Sequence, residues 1–142
     1  MIPYRKGPAM TKKFELTNES IVYNSVKLYR IKSLVDFGDV KAGDLGGYIQ
    51  SEDNLSQNGN SWIYEDARVY GDAKVYGNAC VFGNAWVYGN ACVHDDSKVF
   101  GHAGVFGNAM VFGDAMVFGD AKVYGDACVC SNARVHGNAI VW

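Results

Sequence analysis

The sequence predicts an all-β chain of very short strands wound into stacked coils, and three observations carry that prediction. A β-branched residue recurs at every sixth position from Ile63 to Val141 without a break. Four places after each of these, as far as Val135, stands Ala, with Ser97 the single replacement; two places after stands Gly, replaced only by Glu65, Asp95 and Ser131. Between Gly and Ala stands Asp or Asn, His102 apart. No 3.6-residue helical period accommodates Gly at every sixth place. Length bounds the rest: 142 residues leave room for one domain with a small appendage.

Taken in order, the first sixty residues read as an N-terminal extension and a β-hairpin capping module (1–60). "KFEL" and "VKLYRIKSL" alternate as an antiparallel pair, "NES" and "YNS" supply turns, and "KAGDLGGYI" leads into the coils. An open end of a coil stack exposes unpaired backbone, which such a hairpin would cover. Met10 is a candidate natural start, with residues 1–9 upstream of it. Residues 61–142 form the repeats. In "AKVY" (73–76) strand alternation sends Ala73 and Val75 to one side and Lys74 and Tyr76 to the other, and the next "GN" has turn chemistry. A four-residue strand with so small an apolar side buries nothing alone, so neighbouring words must stack.

Residues 61–142 resemble the hexapeptide-repeat left-handed parallel β-helix, whose word is aliphatic, three variable places, small, variable, with three words per coil. Acyltransferases of that superfamily often carry Gly directly after the aliphatic residue, where this chain has Tyr, Phe, His, Cys or Trp. Over the first sixty residues and the first coil, the chain resembles YdcK-like β-helix proteins, some carried by phages or prophages. The resemblance implies two catalytic or partner-binding alternatives: an acyl-CoA-dependent acyltransferase with a histidine base, and a phage-type inhibitor of a host protein.

With three words per coil, positions 18 apart stack about 4.8 Å from each other. Face one then shows Trp62, Tyr64, Cys80, Phe82, Lys98, Phe100, Met116, Phe118, Arg134 and His136. Face two shows Arg68, Tyr70, Trp86, Tyr88, Gly104, Phe106, Lys122, Tyr124, Ile140 and Trp142. Face three shows Lys74, Tyr76, Cys92, His94, Met110, Phe112, Cys128 and Cys130, with Lys74 its one charge. Charge depletion with Met and aromatic enrichment marks interface cores. Face three, from Cys92 to Cys130, is the first candidate for self-association, and Trp86, Tyr88, Phe106, Tyr124 and Trp142 on face two are the second. The chain stops at "AIVW", which offers Val141 and Trp142 for end-to-end contact.

Metal and catalytic readings are weaker. Cys92 and His94 lie two coils, about 9.6 Å, from Cys128 and Cys130, too far for one tetrahedral zinc, whose thiolate bonds are about 2.3 Å, or for a disulfide. No cofactor and no metal site is expected, and the cysteines read as free thiols. His94, His102 and His136 are weak catalytic candidates, on a face, in a turn and on another face. The stacked Asp and Asn columns place only Asp96 and Asp114 as adjacent carboxylates, which suits turns better than calcium. A formal net charge of −2 gives no basic footprint for nucleic acid, and no segment approaches the ~20 apolar residues of a membrane span. The expectation is therefore a cytoplasmic, non-catalytic scaffold or binding module presenting flat aromatic faces, homo-oligomeric, with no nucleic-acid or membrane partner.

Overall fold

The computed structural model describes residues 12–142; the candidate start at Met10 and the extension over 1–9 lie outside the described residues. Strand β1 (Phe14–Tyr23) pairs antiparallel with β2 (Val26–Ser33), which pairs antiparallel with β3 (Leu45–Ile49). The "YNS" turn is present: Asn24 and Ser25 both take positive φ, 51° and 66°, as a two-residue hairpin loop needs. "NES" is not a turn. It lies inside β1, where the pairing slips between Leu16 and Ser20, and Thr17 Oγ1 holds the irregularity by donating to the Arg30 carbonyl (2.8 Å).

From β3 the chain winds into about five stacked coils, a parallel β-helix of the left-handed hexapeptide class with a β-rich cap. Fourteen strands, β4 (Trp62–Ile63) to β17 (Ile140–Val141), follow at six-residue intervals. Those opening at Arg68, Trp86, Gly104, Lys122 and Ile140 continue the β1–β2–β3 sheet to eight strands; the other two faces carry five and four. Each is two residues long rather than the four of "AKVY". The reason is local: the Ala amide turns back to the carbonyl three residues earlier, as from Ala73 to Tyr70 (3.4 Å), and leaves the ladder.

Ala and Val point inward as the alternation requires, and from Ala67 to Val123 every repeat Val and Ala is fully buried. Ser97, in the one word without Ala, is also fully buried, and its hydroxyl donates to the carbonyls of His94 (2.7 Å) and Val111 (3.2 Å). At the turns, Gly89 has φ of 70°, and a Cβ there would stand 3.0 Å from the Gly107 amide of the next coil. Glu65 and Asp95 occupy this left-handed position without being Gly, at 59° and 60°. Their carboxylates accept from that next-coil amide, Gly83 (2.7 Å) and Gly113 (3.0 Å). The direction that crowds a methyl suits an acceptor.

Three amides per word donate to the following coil: Trp86, Tyr88 and Asn90 bond the carbonyls of Ala103, Val105 and Gly107 at 2.9, 3.0 and 2.8 Å. The first coil therefore offers a rim of carbonyls with no earlier coil to supply donors, and buried backbone oxygens need partners. The N-terminal residues provide them. Lys13 Nζ donates to Ser61 O (2.8 Å) and Gly59 O (3.3 Å). Arg30 reaches Glu65 O (3.2 Å), and the amides of Tyr48, Gln50 and Ser56 serve Ala67, Val69 and Val75. Asn54, 1% exposed, donates to Gly71 O (3.1 Å) and Ala73 O (2.9 Å) while its Oδ1 accepts from the amides of Gln50 and Ser51. Phe14, Ile31 and Val40 join the same apolar cluster as the repeat valines. Gly46 makes the fit close enough that a Cβ would meet Ile63 O at 2.5 Å.

Two measurements check this capping. Asn54→Asp keeps the shape but turns an oxygen toward two carbonyls; at about 1–3 kcal/mol per buried group left unpaired, urea unfolding should show a loss of at least about 2 kcal/mol, and an unchanged midpoint would remove Asn54 from the rim. Burial lowers the Lys13 amine from its usual 10.5 to about 8. As pH rises from about 8 to about 10.5 the folded chain gives up this proton before the unfolded chain does, so the unfolded state binds more protons and stability rises. Relative to Lys13→Met, the wild-type chain should thus gain stability between pH 7.5 and 9.5, and a constant difference would contradict the burial of that amine.

Candidate functional site

Most outward aromatic rings stack on their counterparts one coil away. On face three the rings of Tyr76, His94 and Phe112 lie parallel at centroid spacings of 4.7 and 5.2 Å. On face two Tyr70, Tyr88, Phe106, Tyr124 and Trp142 follow at 5.0, 4.9, 5.0 and 6.2 Å. On face one Phe82, Phe100, Phe118 and His136 follow at 4.7, 4.9 and 5.3 Å. Contacting carbons sit about 3.5–4.0 Å apart, so parallel rings at these spacings overlap with an offset, like shingles. The expectation of flat aromatic faces is corrected: the ring faces lie largely against one another, and edges are what the ladders turn outward.

Several outward residues of the first two coils are covered by the cap. Trp62 is 1% exposed, held edge-on by Phe14 (6.3 Å) and Phe37 (5.2 Å). On face two the hairpin tip lies over the first rungs. Asn24 donates to the Tyr70 hydroxyl (3.2 Å), Tyr23 stacks on Trp86 (6.2 Å), and the Arg68 guanidinium sits 4.7 Å from the Tyr23 ring. Of the face-two candidates, then, Trp86 already has a cover, Tyr88, Phe106 and Tyr124 are partly buried in the ladder, and Trp142 is 81% exposed.

Face three carries no such cover among the described residues. Met110, Tyr76 and Cys128 are exposed; Cys92, His94, Phe112 and Cys130 are partly buried. Met110 pairs with Cys92 on one side and Cys128 on the other, which keeps those thiols two strands apart, and all four cysteines are free. No group of three or more His, Cys, Asp or Glu among the described residues is placed to hold a metal ion. The three histidines are not brought together. His94 lies between Tyr76 and Phe112 with Nδ1 3.2 Å from Asp95 Oδ1, and the Asp95 carboxyl is held below its usual value first by the Gly113 amide and then by His94. His102 is an exposed turn residue beside Asp120 and Lys122, and His136 ends the face-one ladder.

One concavity was not foreseen. At the junction of cap and coils, Asp39, Tyr64, Glu65, Cys80, Phe82 and Lys98 line an open cleft of about 280 Å³. Burial pushes the Tyr64 phenol up to about 12 and also raises the Cys80 thiol, the latter opposed by Lys98, so both stay protonated at neutral pH. Tyr64, Cys80, Phe82 and Lys98 belong to face one, but Asp39 comes from the loop closed by the Phe37–Val40 bridge. Repeat spacing carries no signal for that approach. No helix among the described residues is long and apolar enough to cross a membrane.

With this geometry in place, residues 73–89 match the family model described as YdcK Beta solenoid repeat. Over 45 residues, 32% of this chain, the sequence is 44% identical to the "Uncharacterized acetyltransferase YdcK" of Escherichia coli (strain K12), a stretch amounting to 14% of that protein. Residues 73–89 are thus similar to a YdcK-type β-solenoid repeat, and the stretch matched to the relative spans about one seventh of that protein's length.

Proposed function

We propose that the chain is a non-catalytic scaffold whose face three meets a second copy of itself. The observation that supports this reading is the chemistry of that face: four strands that carry one charged side chain, Lys74, with Met110, Tyr76 and Cys128 open to solvent. Four rungs about 4.8 Å apart and about 13 Å wide make roughly 250 Å², well short of the ~800 Å² per partner of a stable complex. The association is therefore weak and reversible. Light scattering should show mass rising with concentration toward about 100 µM, and Met110→Glu, which sets a charge in the middle of the face without touching the ring ladder, should abolish the rise without lowering the melting temperature, since that side chain is exposed and points away from the core. A mass of one chain throughout would dismiss the reading.

The 44% identity to a protein named as an acetyltransferase favours one other reading, acetyl transfer by a larger assembly of such coils. Release of free thiol from acetyl-CoA in the presence of amine or hydroxyl acceptors, at a rate above the uncatalysed background and reduced in His94→Ala or His136→Ala, would favour it. Background rates would leave the scaffold reading in place.

A further inference from the structure

Inside each ladder a ring is sandwiched between parallel rings, but every ladder has a first rung. On face one that rung is Phe82. Phe100 covers one of its faces at 4.7 Å and 2°, whereas the ring on its other side, Tyr64, stands at 83° and 6.3 Å. Tyr64 is drawn out of the ladder because it packs against the apolar cluster shared with the cap. One face of Phe82 thus has no parallel ring among the described residues, and the cleft of about 280 Å³ opens at that place.

The cleft's walls are mainly apolar and its charged groups are Asp39, Glu65 and Lys98. The Glu65 carboxylate is engaged by the Gly83 amide (2.7 Å). Asp39 and Lys98 form no ion pair among the described residues, so the rim offers one free anionic acceptor and one free cationic donor, and with the Glu65 carboxylate the three charges sum to −1. A ligand fitting this set needs a flat face for Phe82, an edge bearing both an acceptor and a donor, and no negative charge. At about 30 Å³ per water the space holds about nine waters, close to the ten or so non-hydrogen atoms of adenine. Offset stacking on an aromatic ring supplies the apolar part of the contact.

We propose that this cleft binds a neutral, planar heteroaromatic ring of nucleobase size, which takes the missing rung of the face-one ladder while its edge accepts from Lys98 and donates to Asp39.

The test is an amide-detected NMR titration of the full chain with adenosine and uridine, with ribose as the control for the sugar. Saturable shifts should gather on Tyr64, Phe82 and Lys98 with at least one nucleoside, at dissociation constants near the millimolar range, and ribose should leave them unmoved. Phe82→Leu, which keeps the bulk and removes the ring face, should weaken binding about tenfold or more. Phe118→Leu, two rungs away in the same ladder, should leave it unchanged. If Phe82→Leu fails to fold, the rim variants Lys98→Met and Asp39→Asn carry the test, and each should weaken binding severalfold. The proposal is overturned by absence of saturable shifts at this junction with both nucleosides, by equal shifts with ribose, by equal loss in Phe118→Leu, or by unchanged affinity in both rim variants.

Discussion

The forward direction of the hydrogen bonds between coils governs the rest of this structure. Because three amides of every word donate to the coil ahead, each coil is satisfied only by the one before it, and the first coil begins with a debt of carbonyls. A helix end is mended by water or a single cap residue, but this rim runs round three sides and is partly buried. Each side is mended differently: by Lys13 and Arg30, by the amides of Tyr48 and Gln50 at the edge of β3, and by the side chain of Asn54. The small N-terminal module is therefore a set of donors carried on a hairpin as much as an apolar lid. That explains why a lysine that is 4% exposed is tolerated there: carbonyls and the Phe37 ring, 4.9 Å away, surround its amine.

The same stacking dictates the outer surface. Strand spacing places equivalent Cα atoms about 4.8 Å apart, somewhat more than the thickness of an aromatic ring, so rings in consecutive coils tilt into offset contact without moving the backbone. Tyr, Phe, His and Trp can be exchanged along a ladder because each supplies a plane of similar thickness. Such pairs contribute about 0.5–1.5 kcal/mol each beyond area burial, which ties the coils together from outside while the narrow Val and Ala interior ties them from within. The ladders are thereby part of the fold, and what remains for a partner is their edges.

Much of this was legible in the sequence because it depends on neighbours exactly 18 residues away. The inward Val and Ala and the glycine positions of the turns follow from the six-residue period, and Ser97 could be placed inside for the same reason, whereas the three words per coil, and with them the membership of each face, came with the resemblance to the hexapeptide-repeat β-helix. What was not legible depends on contacts outside the period. Trp62 and Tyr70 have the letters of outward residues yet are buried, because Phe14 and Tyr23 arrive from the hairpin and Phe37 from the loop after it. Lys13 and Asn54 look like ordinary polar residues until the rim they serve exists. "NES" reads as a turn by composition, but pairing with β2 on both sides of it absorbs the irregularity as a slip in register.

This division bears on where chemistry can sit. Within the repeats no inserted loop breaks the words, and a histidine such as His94 is fixed between two rings that leave only its edge to act. Elements from outside the repeats enter where the cap meets the coils. There the ladder on face one loses its parallel order at Tyr64, an acidic loop residue stands across from Lys98, and the left-handed turn position holds Glu65 in place of glycine. A fold built from one word gains distinct surface only by interrupting that word, and in this chain the interruptions with unlike polar groups around them converge on the first two coils.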